Sequence, residues 1–471
     1  MTKQQQREGR PVHAKGSAKR AVFMALKAVP AAIALCAAGA ALANDDEGQY
    51  IGYFRSGAGS GSTHGVGNCY YLGNGNGHGY RLGNECDSYG ELGYAHTIAT
   101  SPDGTKFVGK VMVNTYSGNS QWNGGFNMSQ AYIEADNMPA LNGGNVWVGE
   151  RYYERPDIHV LDLQYINLNG QGGGIDNVGT GFGKFSWAIF KDNDSNVGAP
   201  GVVTGSNSAI RNNFLLRGMP VNPGGKLDVV LGYIVKEGAQ QGSVRHNGWN
   251  AHVFHYQDVL GGNNAVGLQY GVGPGTGRGD PVSPASLAAY QANPQAALAG
   301  ANANGSNRMG GSGSTELGSA DKRLRAFDYL VIQPTSIFST SFDVVYQQDK
   351  LSAQYGVAQG TVKWLSVGVR PEIAITQNFK IQGEVGYDRV TYPSASSQHL
   401  TKFTIAPTLT LGPGFYDRPE LRAFVTHANW NAAATPTIAG NNYNSGNAFG
   451  SSTSGTTIGI QAETWFNEDW W

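Results

Sequence analysis

Residues 457–466 read TIGIQAETWF and alternate in polarity along their whole length. The even positions, from Ile458 to Phe466, are mainly apolar, whereas the odd positions include Gln461, Glu463 and Trp465. A β-strand points successive side chains to opposite faces, so this period of two predicts a strand with one apolar and one polar face. Trp465 is then an aromatic ring on the polar face.

The same alternation recurs along the chain and predicts an all-β fold. We expect strands in the segments YIGYFRSG (50–57), YRLGNECDSYGEL (80–92) and YDRPELRAFV (416–425). Few segments have the period of a helix, and no boundary divides the chain into domains after its first 43 residues. The simplest organisation is therefore a single β domain over residues 44–471.

Stretches rich in Gly, Asn and Ser separate the alternating segments. A short one lies at 222–225, and long ones lie at 195–212, 271–322 and 431–455. The second long stretch includes SPASLAAYQANPQAALAGA, which is compatible with a short helix. Short turns that alternate with long loops are typical of an outer-membrane β-barrel, and this length gives on the order of 16–20 strands.

The first 43 residues are typical of an export signal. A basic region with Lys15, Lys19 and Arg20 precedes an apolar run, and the run ends with the small residues Ala41 and Ala43. We expect cleavage after Ala43, with a lipoprotein signal at Cys36 as the weaker alternative. Removal of seven basic and one acidic residue leaves 26 and 33, a net charge near −7. Nucleic-acid binding, which needs a basic surface, is therefore not expected.

No segment after the signal has 18 consecutive apolar residues, so a helical membrane protein is excluded. A transmembrane barrel remains compatible with the mean hydropathy of −0.32, because only every second residue of its strands meets lipid. A soluble β-sandwich would alternate as well. The export signal, the long polar loops and the aromatic C-terminal end favour the barrel, whose aromatic residues form girdles at the membrane interfaces.

Aromatic residues share strand faces with charged residues in these segments. Tyr53 lies on the face of Arg55, and Tyr89 on the face of Glu91. In a barrel the charged face must line the lumen, since lipid cannot solvate it. Rings beside ion-pairing groups suit a sugar, which presents C–H groups on its faces and hydroxyls at its edges. The alternative, that these rings form the interface belts or fill the barrel wall, stays open at this point.

Several motifs together resemble the maltoporin, or sugar porin, family over essentially the whole chain after the signal. They are GYFRSGAG, YRLGNEC, VWVGERYYERPDIHVLD, FGKFS, VNPGGKL, VGVRP, RPELRAF and GIQAETWF. The resemblance implies a trimer of eighteen-stranded barrels in the outer membrane, each with a loop folded inward to form a constriction. It also implies passive diffusion of maltose and maltodextrins, without a cofactor.

The resemblance further assigns residues to an aromatic slide for sugar and to a polar track beside it. The slide falls on Trp122, Tyr89, Tyr53, Trp465 and Tyr416, with Trp122 contributed by a neighbouring subunit. The track and constriction fall on Arg55, Arg81, Glu91, Arg155, Asp157, His159, Asp162 and Gln164. Cys69 and Cys86 match the family disulfide, and an exported chain with an even cysteine count favours that bond. Closing a loop of this length stabilises a fold by about 3 kcal/mol.

Four departures from the family pattern bear on the substrate. Asn263 stands where the maltodextrin porins have the innermost aromatic ring, and Gln164 stands where they have a constriction tyrosine. Tyr416 replaces a tryptophan, and a further constriction arginine is missing near Met128. A sucrose-type or broader oligosaccharide porin is therefore the alternative function.

Two other functions are less favoured. Asp157, His159 and Asp162 lie close in sequence, but their spacing is not a recognised zinc pattern. A barrel enzyme of the phospholipase type would need Ser, His and a polar orienting group together at the lipid-facing rim, and no motif assembles them.

Overall fold

The computed structural model describes residues 48–62, 68–72, 79–118, 125–192, 208–237, 244–278, 309–353, 359–393, 395–439 and 449–466. The expected export signal at 1–43, the candidate slide residue Trp122 and the helix-compatible stretch within the 271–322 loop lie outside these described residues. In the described part of the chain, no helix combines the length and the apolar character needed to span a bilayer.

Among the described residues, twenty strands follow one another along the chain. They are β1 (Gln49–Gly61), β2 (Asp87–Thr100), β3 (Lys106–Gly118), β4 (Phe126–Met138), β5 (Gly144–Arg151), β6 (Asp157–Ile158), β7 (Leu163–Gln164), β8 (Gly170–Gly179), β9 (Lys184–Asp192), β10 (Ala209–Asn222), β11 (Gly225–Lys236), β12 (Gly248–Val259), β13 (Gly262–Val272), β14 (Lys322–Ile332), β15 (Phe338–Leu351), β16 (Gly360–Thr376), β17 (Phe379–Thr391), β18 (Gln398–Thr410), β19 (Glu420–Trp430) and β20 (Ser454–Phe466). One short helix, α1 (Thr435–Ala439), follows β19.

Eighteen of these strands form one antiparallel sheet, and β6 and β7 form a separate hairpin. The large sheet is closed, because β1 pairs with both β2 and β20. Closure leaves no edge strand with unpaired backbone groups, as a sheet in lipid requires. The predicted barrel and the predicted number of strands are confirmed.

The barrel is polar inside and apolar outside. On β20, Ile458 and Ile460 are 60% and 65% exposed, whereas Gln461 and Glu463, which follow them on the other face of the strand, are 4% and 2% exposed. A soluble sandwich has the opposite arrangement, with its apolar faces packed together. The alternation of TIGIQAETWF therefore marks a lipid-facing side and a lumenal side.

Short and long connections alternate around the barrel, as the sequence predicts. Residues 223–224 and 260–261 are two-residue turns at one end. The predicted loop at 195–212 is shorter than expected, because β10 already begins at Ala209. The predicted loop at 431–455 contains α1 and ends where β20 begins at Ser454.

The connection between β5 and β8 folds into the barrel, as expected for the constriction loop. This inward segment, residues 152–169, contains the β6–β7 hairpin and a 3-10 turn at His159–Leu161. Tyr165 packs its ring 4.5 Å from that of Phe327 and 5.2 Å from that of Phe254. Arg325 donates a hydrogen bond to the carbonyl of Tyr165 at 3.2 Å. The inward segment thus lies in the lumen and packs Tyr165 against β12 and β14.

Two predicted strand segments begin later than the sequence indicated. Residues 80–86 are not a strand, and the left-handed φ values of Tyr80 (53°) and Gly83 (61°) turn the chain there. Likewise Tyr416 and Arg418 precede β19, because Pro419 has no N–H to donate to the ladder. Both segments instead fold into the lumen. The Cys69–Cys86 disulfide ties the first of them to the preceding loop, and that prediction is confirmed.

Candidate functional site

Three aromatic rings from the two ends of the chain lie side by side on the lumenal wall. Closure of the barrel places Tyr53 of β1 directly opposite Trp465 of β20. The ring of Tyr89, on β2, lies 6.0 Å from that of Tyr53. All three are partly exposed, so each offers a surface to the lumen.

His159 of the inward segment extends this row towards the short-turn end. Its ring is 5.3 Å from that of Trp465 and 6.3 Å from that of Tyr416, and it meets both edge-on. Tyr416 is 41% exposed, and its connection (411–419) carries it into the lumen. We name the rings of Tyr89, Tyr53, Trp465 and Tyr416 the aromatic path.

A carboxylate with three guanidinium partners lies beside the aromatic path. Glu463 accepts hydrogen bonds from Arg81 at 2.8 Å, Arg418 at 3.2 Å and Arg422 at 2.7 Å. It also accepts one from the Tyr53 hydroxyl at 3.0 Å. We name these four charged residues the Glu463 cluster. Arg418 additionally lies flat over Trp465, with its guanidinium carbon 4.0 Å from the ring centre, and so holds the indole in place.

A second set of ion pairs joins the inward segment to β1 and β2. Arg55 bonds to Asp87 at 2.7 Å and to Asp162 at 3.1 Å. Arg155 bonds to Glu91 at 3.2 Å, and the same carboxylate accepts a hydrogen bond from the Tyr89 hydroxyl. These pairs alternate with the rings of the aromatic path, so a solute passing there meets apolar faces and polar groups together.

Two residues that depart from the family pattern lie apart from this row. Gln164, on β7, accepts a hydrogen bond from the side-chain amide of Asn167, which fixes the orientation of its own amide. Asn263 is exposed on β13, on the same strand face as the lumenal Gln269. No described ring contact or hydrogen bond joins Asn263 to the aromatic path.

Tyr329 of β14 is a further aromatic residue near the path, and it is not among the residues predicted from the sequence. Its hydroxyl lies 3.2 Å from that of Tyr416, so it extends the row beyond the last ring of the aromatic path. The alternation of β14 could have identified it, because Tyr329 lies on the same strand face as the lumenal Arg323 and Arg325. Tyr329 is only 5% exposed and therefore supports Tyr416 more than it offers a surface of its own.

Two ionisable groups of the inward segment have shifted pKa values. Burial, and to a smaller extent the carboxylate of Asp162, raise the pKa of Asp157 to about 7. Burial also lowers the pKa of His159 well below its usual value, and the guanidinium of Arg81 lowers it as well. His159 is consequently neutral at physiological pH. Among the described residues, no group of three or more His, Cys, Asp or Glu side chains is placed to hold a metal ion.

We expect the ion selectivity of the lumen to change near pH 7 through Asp157. The charged groups that act on this carboxyl are Arg81, Arg155, Asp162 and Glu463. Below its pKa of about 7 Asp157 is neutral, and above it the constriction gains one negative charge. The permeability ratio of cations to anions, measured from reversal potentials in planar bilayers, should therefore rise between pH 6 and pH 8. Asp157→Asn should remove most of this rise, and an unchanged profile would contradict the assignment.

Comparison with known proteins gives a family profile that matches most of the chain. The profile of a family described as LamB porin matches residues 49–466. Among solved structures, the chain is similar to an anion-selective porin from Comamonas acidovorans, with 12% identity, a TM-score of 0.43 and coverage of 89% of this chain and 99% of that one. It is also similar to OccAB1 of Acinetobacter baumannii, with 10% identity, a TM-score of 0.45 and coverage of 89% and 97%. The family assignment rests on the profile match.

Proposed function

Because the chain belongs to the LamB porin family and is thus a porin of the outer membrane, we propose that it carries oligosaccharides by facilitated diffusion along the aromatic path. The polar track of Arg55, Arg81, Glu91, Arg155, Asp157, His159, Asp162 and Gln164 binds the hydroxyls of the sugar. The family is one of channels, and a channel of this kind catalyses no reaction.

The observation that supports sugar as the solute is the pairing of partly exposed rings with charged groups. Tyr53 and Trp465 present apolar faces, and Glu463 lies within 3.0 Å of the Tyr53 hydroxyl. A pyranose has the same two kinds of surface, so each ring stacked on it contributes roughly 0.5–1.5 kcal/mol by analogy with aromatic pairs. Weak sites in series allow a solute both to enter and to leave, as passage requires.

The inner part of the lumen favours a sugar shorter or less regular than a long maltodextrin. Asn263 and Gln164 present amides where the family pattern has rings, so fewer apolar faces follow one another towards the short-turn end. Amide groups bind hydroxyls of many geometries, whereas a row of stacked rings selects one helical ligand. We therefore propose maltose and related short oligosaccharides as substrates, with a sucrose-type selectivity as the second candidate.

Channel conductance in planar bilayers, titrated with maltose, maltotriose, maltohexaose and sucrose, tests this function. We expect saturable block of the ion current by the short sugars at millimolar concentration. Block that strengthens steadily with maltodextrin length would favour a long-chain selectivity instead. If none of the four sugars blocks the current, the chain is a general diffusion pore and the sugar proposal fails.

Replacement of Tyr329 by phenylalanine is expected to weaken sugar block by about threefold. The change removes the hydroxyl that bonds to the Tyr416 hydroxyl, and a single hydrogen bond of this kind contributes about 0.5–1.5 kcal/mol. Tyr416→Phe should have a similar effect, and the double variant should be no worse than either single one, because both remove the same bond. Additive losses would show that the two tyrosines act independently.

The assembly and processing of the chain are further parts of the proposal. The family match supports a homotrimer in which Trp122 of one subunit begins the path of another. It also supports cleavage of residues 1–43, which leaves residues 44–471 as one barrel domain. Native mass spectrometry of the purified outer-membrane protein tests both points. A mass that retains the first 43 residues, or a monomer in mild detergent, would contradict them.

A further inference from the structure

Part of the connection between β1 and β2 folds over the lumenal face of the strands that precede β1 around the barrel. Residues 79–83 of this connection bond to side chains of four strands, β17 to β20. Lys402 donates to the carbonyl of Gly79 at 3.2 Å, and the N–H of Leu82 donates to Glu384 at 3.1 Å. Thr404 and Thr426 donate to the carbonyls of Leu82 and Gly83 at 3.0 and 3.1 Å; the N–H of Gly83 donates to Gln461 at 3.3 Å.

Tyr80 seats this connection in a slot between two glycines. Gly368 of β16 and Gly386 of β17 lie directly opposite each other in the sheet. A Cβ at Gly368 would lie 1.9 Å from the Tyr80 ring, and one at Gly386 would lie 2.0 Å from it. Any larger residue at either position would therefore exclude the ring. The hydroxyl of Tyr80 continues past the slot to Ser366 at 2.9 Å and Asp343 at 3.2 Å.

The residue that follows Tyr80 belongs to the site. Arg81 extends its guanidinium to Glu463 at 2.8 Å and to the Tyr53 hydroxyl, next to the aromatic path. Its backbone N–H donates to the carbonyl of Val160 at 2.9 Å, which joins the connection to the inward segment. The position of Arg81 along the lumen therefore depends on Tyr80, whose ring packs between the two glycines and not along the aromatic path.

We infer that Tyr80 is a latch that holds the β1–β2 connection against β16 and β17 and thereby positions Arg81 in the passage. The disulfide cannot replace this function, because Cys69 and Cys86 close the connection on itself and not on β16 or β17. Release of the ring frees residues 79–83 to withdraw from the lumen. The passage then widens, and the guanidinium of Arg81 leaves Glu463 and Tyr53. The part of this inference that concerns sugar rests on the proposed function, whereas the width of the passage does not.

Ion conductance in 1 M KCl tests the latch without any sugar. Tyr80→Ala should raise single-channel conductance by roughly twofold, since the connection no longer narrows the lumen. Tyr80→Phe keeps the ring in the slot and should stay close to wild type. Gly386→Ala should act like Tyr80→Ala, because its Cβ displaces the ring, and should add nothing when combined with it. Gly383→Ala is the matched control, since the nearest atom to its Cβ is 3.6 Å away, in Pro371.

The charge of Arg81 provides a second readout that general damage to the barrel would not produce. Tyr80→Ala should lower the permeability ratio of anions to cations, and it should lower it no further in an Arg81→Gln background. Wild-type conductance in Tyr80→Ala, or additive effects of Tyr80→Ala and Gly386→Ala, would overturn the latch. If Tyr80→Ala does not assemble, Gly386→Ala with wild-type conductance would overturn it equally. Absence of sugar block in the wild type would contradict the proposed substrate. It would not affect the conductance test of the latch, which uses no sugar.

Discussion

Replacement of Trp465 by alanine is expected to weaken sugar block by about tenfold, because the indole is both a stacking surface and a partner of Arg418. The ring lies opposite Tyr53 and 5.3 Å from His159, so its loss interrupts the aromatic path at its centre. The measurement is the titration of ion current with maltotriose in planar bilayers. Trp465→Phe keeps an aromatic face and should recover most of the affinity.

The control for this experiment lies on the same strand. Phe466 is the next residue of β20, is exposed on the lipid-facing side and has the opposite parity. Phe466→Ala should therefore leave sugar block unchanged while removing a ring of similar size. Equal effects of the two alanine variants would mean that Trp465 contributes only to the wall of the barrel.

Replacement of Glu463 by glutamine is expected to destabilise the barrel by about 3–5 kcal/mol, because it removes a buried carboxylate that three guanidinium groups share and leaves them only the charges of Glu85 and Glu420. Arg81, Arg418 and Arg422 all bond to this one carboxylate. The same change leaves net positive charge beside the aromatic path, so the permeability ratio of anions to cations should rise. Urea-dependent unfolding in detergent micelles measures the first effect, and reversal potentials measure the second.

A matched substitution outside the Glu463 cluster distinguishes the loss of buried ion pairs from the loss of one negative charge. Glu316 pairs with Arg245 at 3.5 Å, but its side chain is 37% exposed. Exposed pairs of this kind contribute about 0–1 kcal/mol, so Glu316→Gln should unfold close to wild type. A similar loss of stability in both variants would contradict a special role of the Glu463 cluster.

The parity of polar and apolar residues predicted much of the site correctly. Tyr53, Tyr89 and Trp465 face the lumen because each shares a strand face with charged residues, and lipid cannot solvate those charges. The same rule applied to β14 would have identified Tyr329 beside Arg323 and Arg325. The family pattern does not indicate Tyr329, because it places the innermost ring of the slide at the position of Asn263.

Parity failed where the chain leaves the sheet. The alternation predicts a strand over residues 80–92 that includes Arg81. In the structure Arg81 lies in the connection before β2, which begins only at Asp87. Its side chain nevertheless reaches the lumen, since the preceding residue, Tyr80, packs between Gly368 of β16 and Gly386 of β17. Tyr416 likewise reaches the path from the connection before β19. Neither position follows from a period of two, because a loop has no fixed direction for its side chains.

The sequence by itself determined that the protein is a membrane barrel, which side of each strand faces lipid, and which residue types line the lumen. These properties are local, since alternation is a property of each strand and solvation acts on each side chain separately. Only the tertiary structure decided which lumenal residues meet. Closure of the sheet pairs Tyr53 with Trp465 from the opposite end of the chain. The packing of the inward segment and of Tyr80 then places His159 beside Trp465 and Arg81 beside Tyr53, through contacts that no period in the sequence specifies.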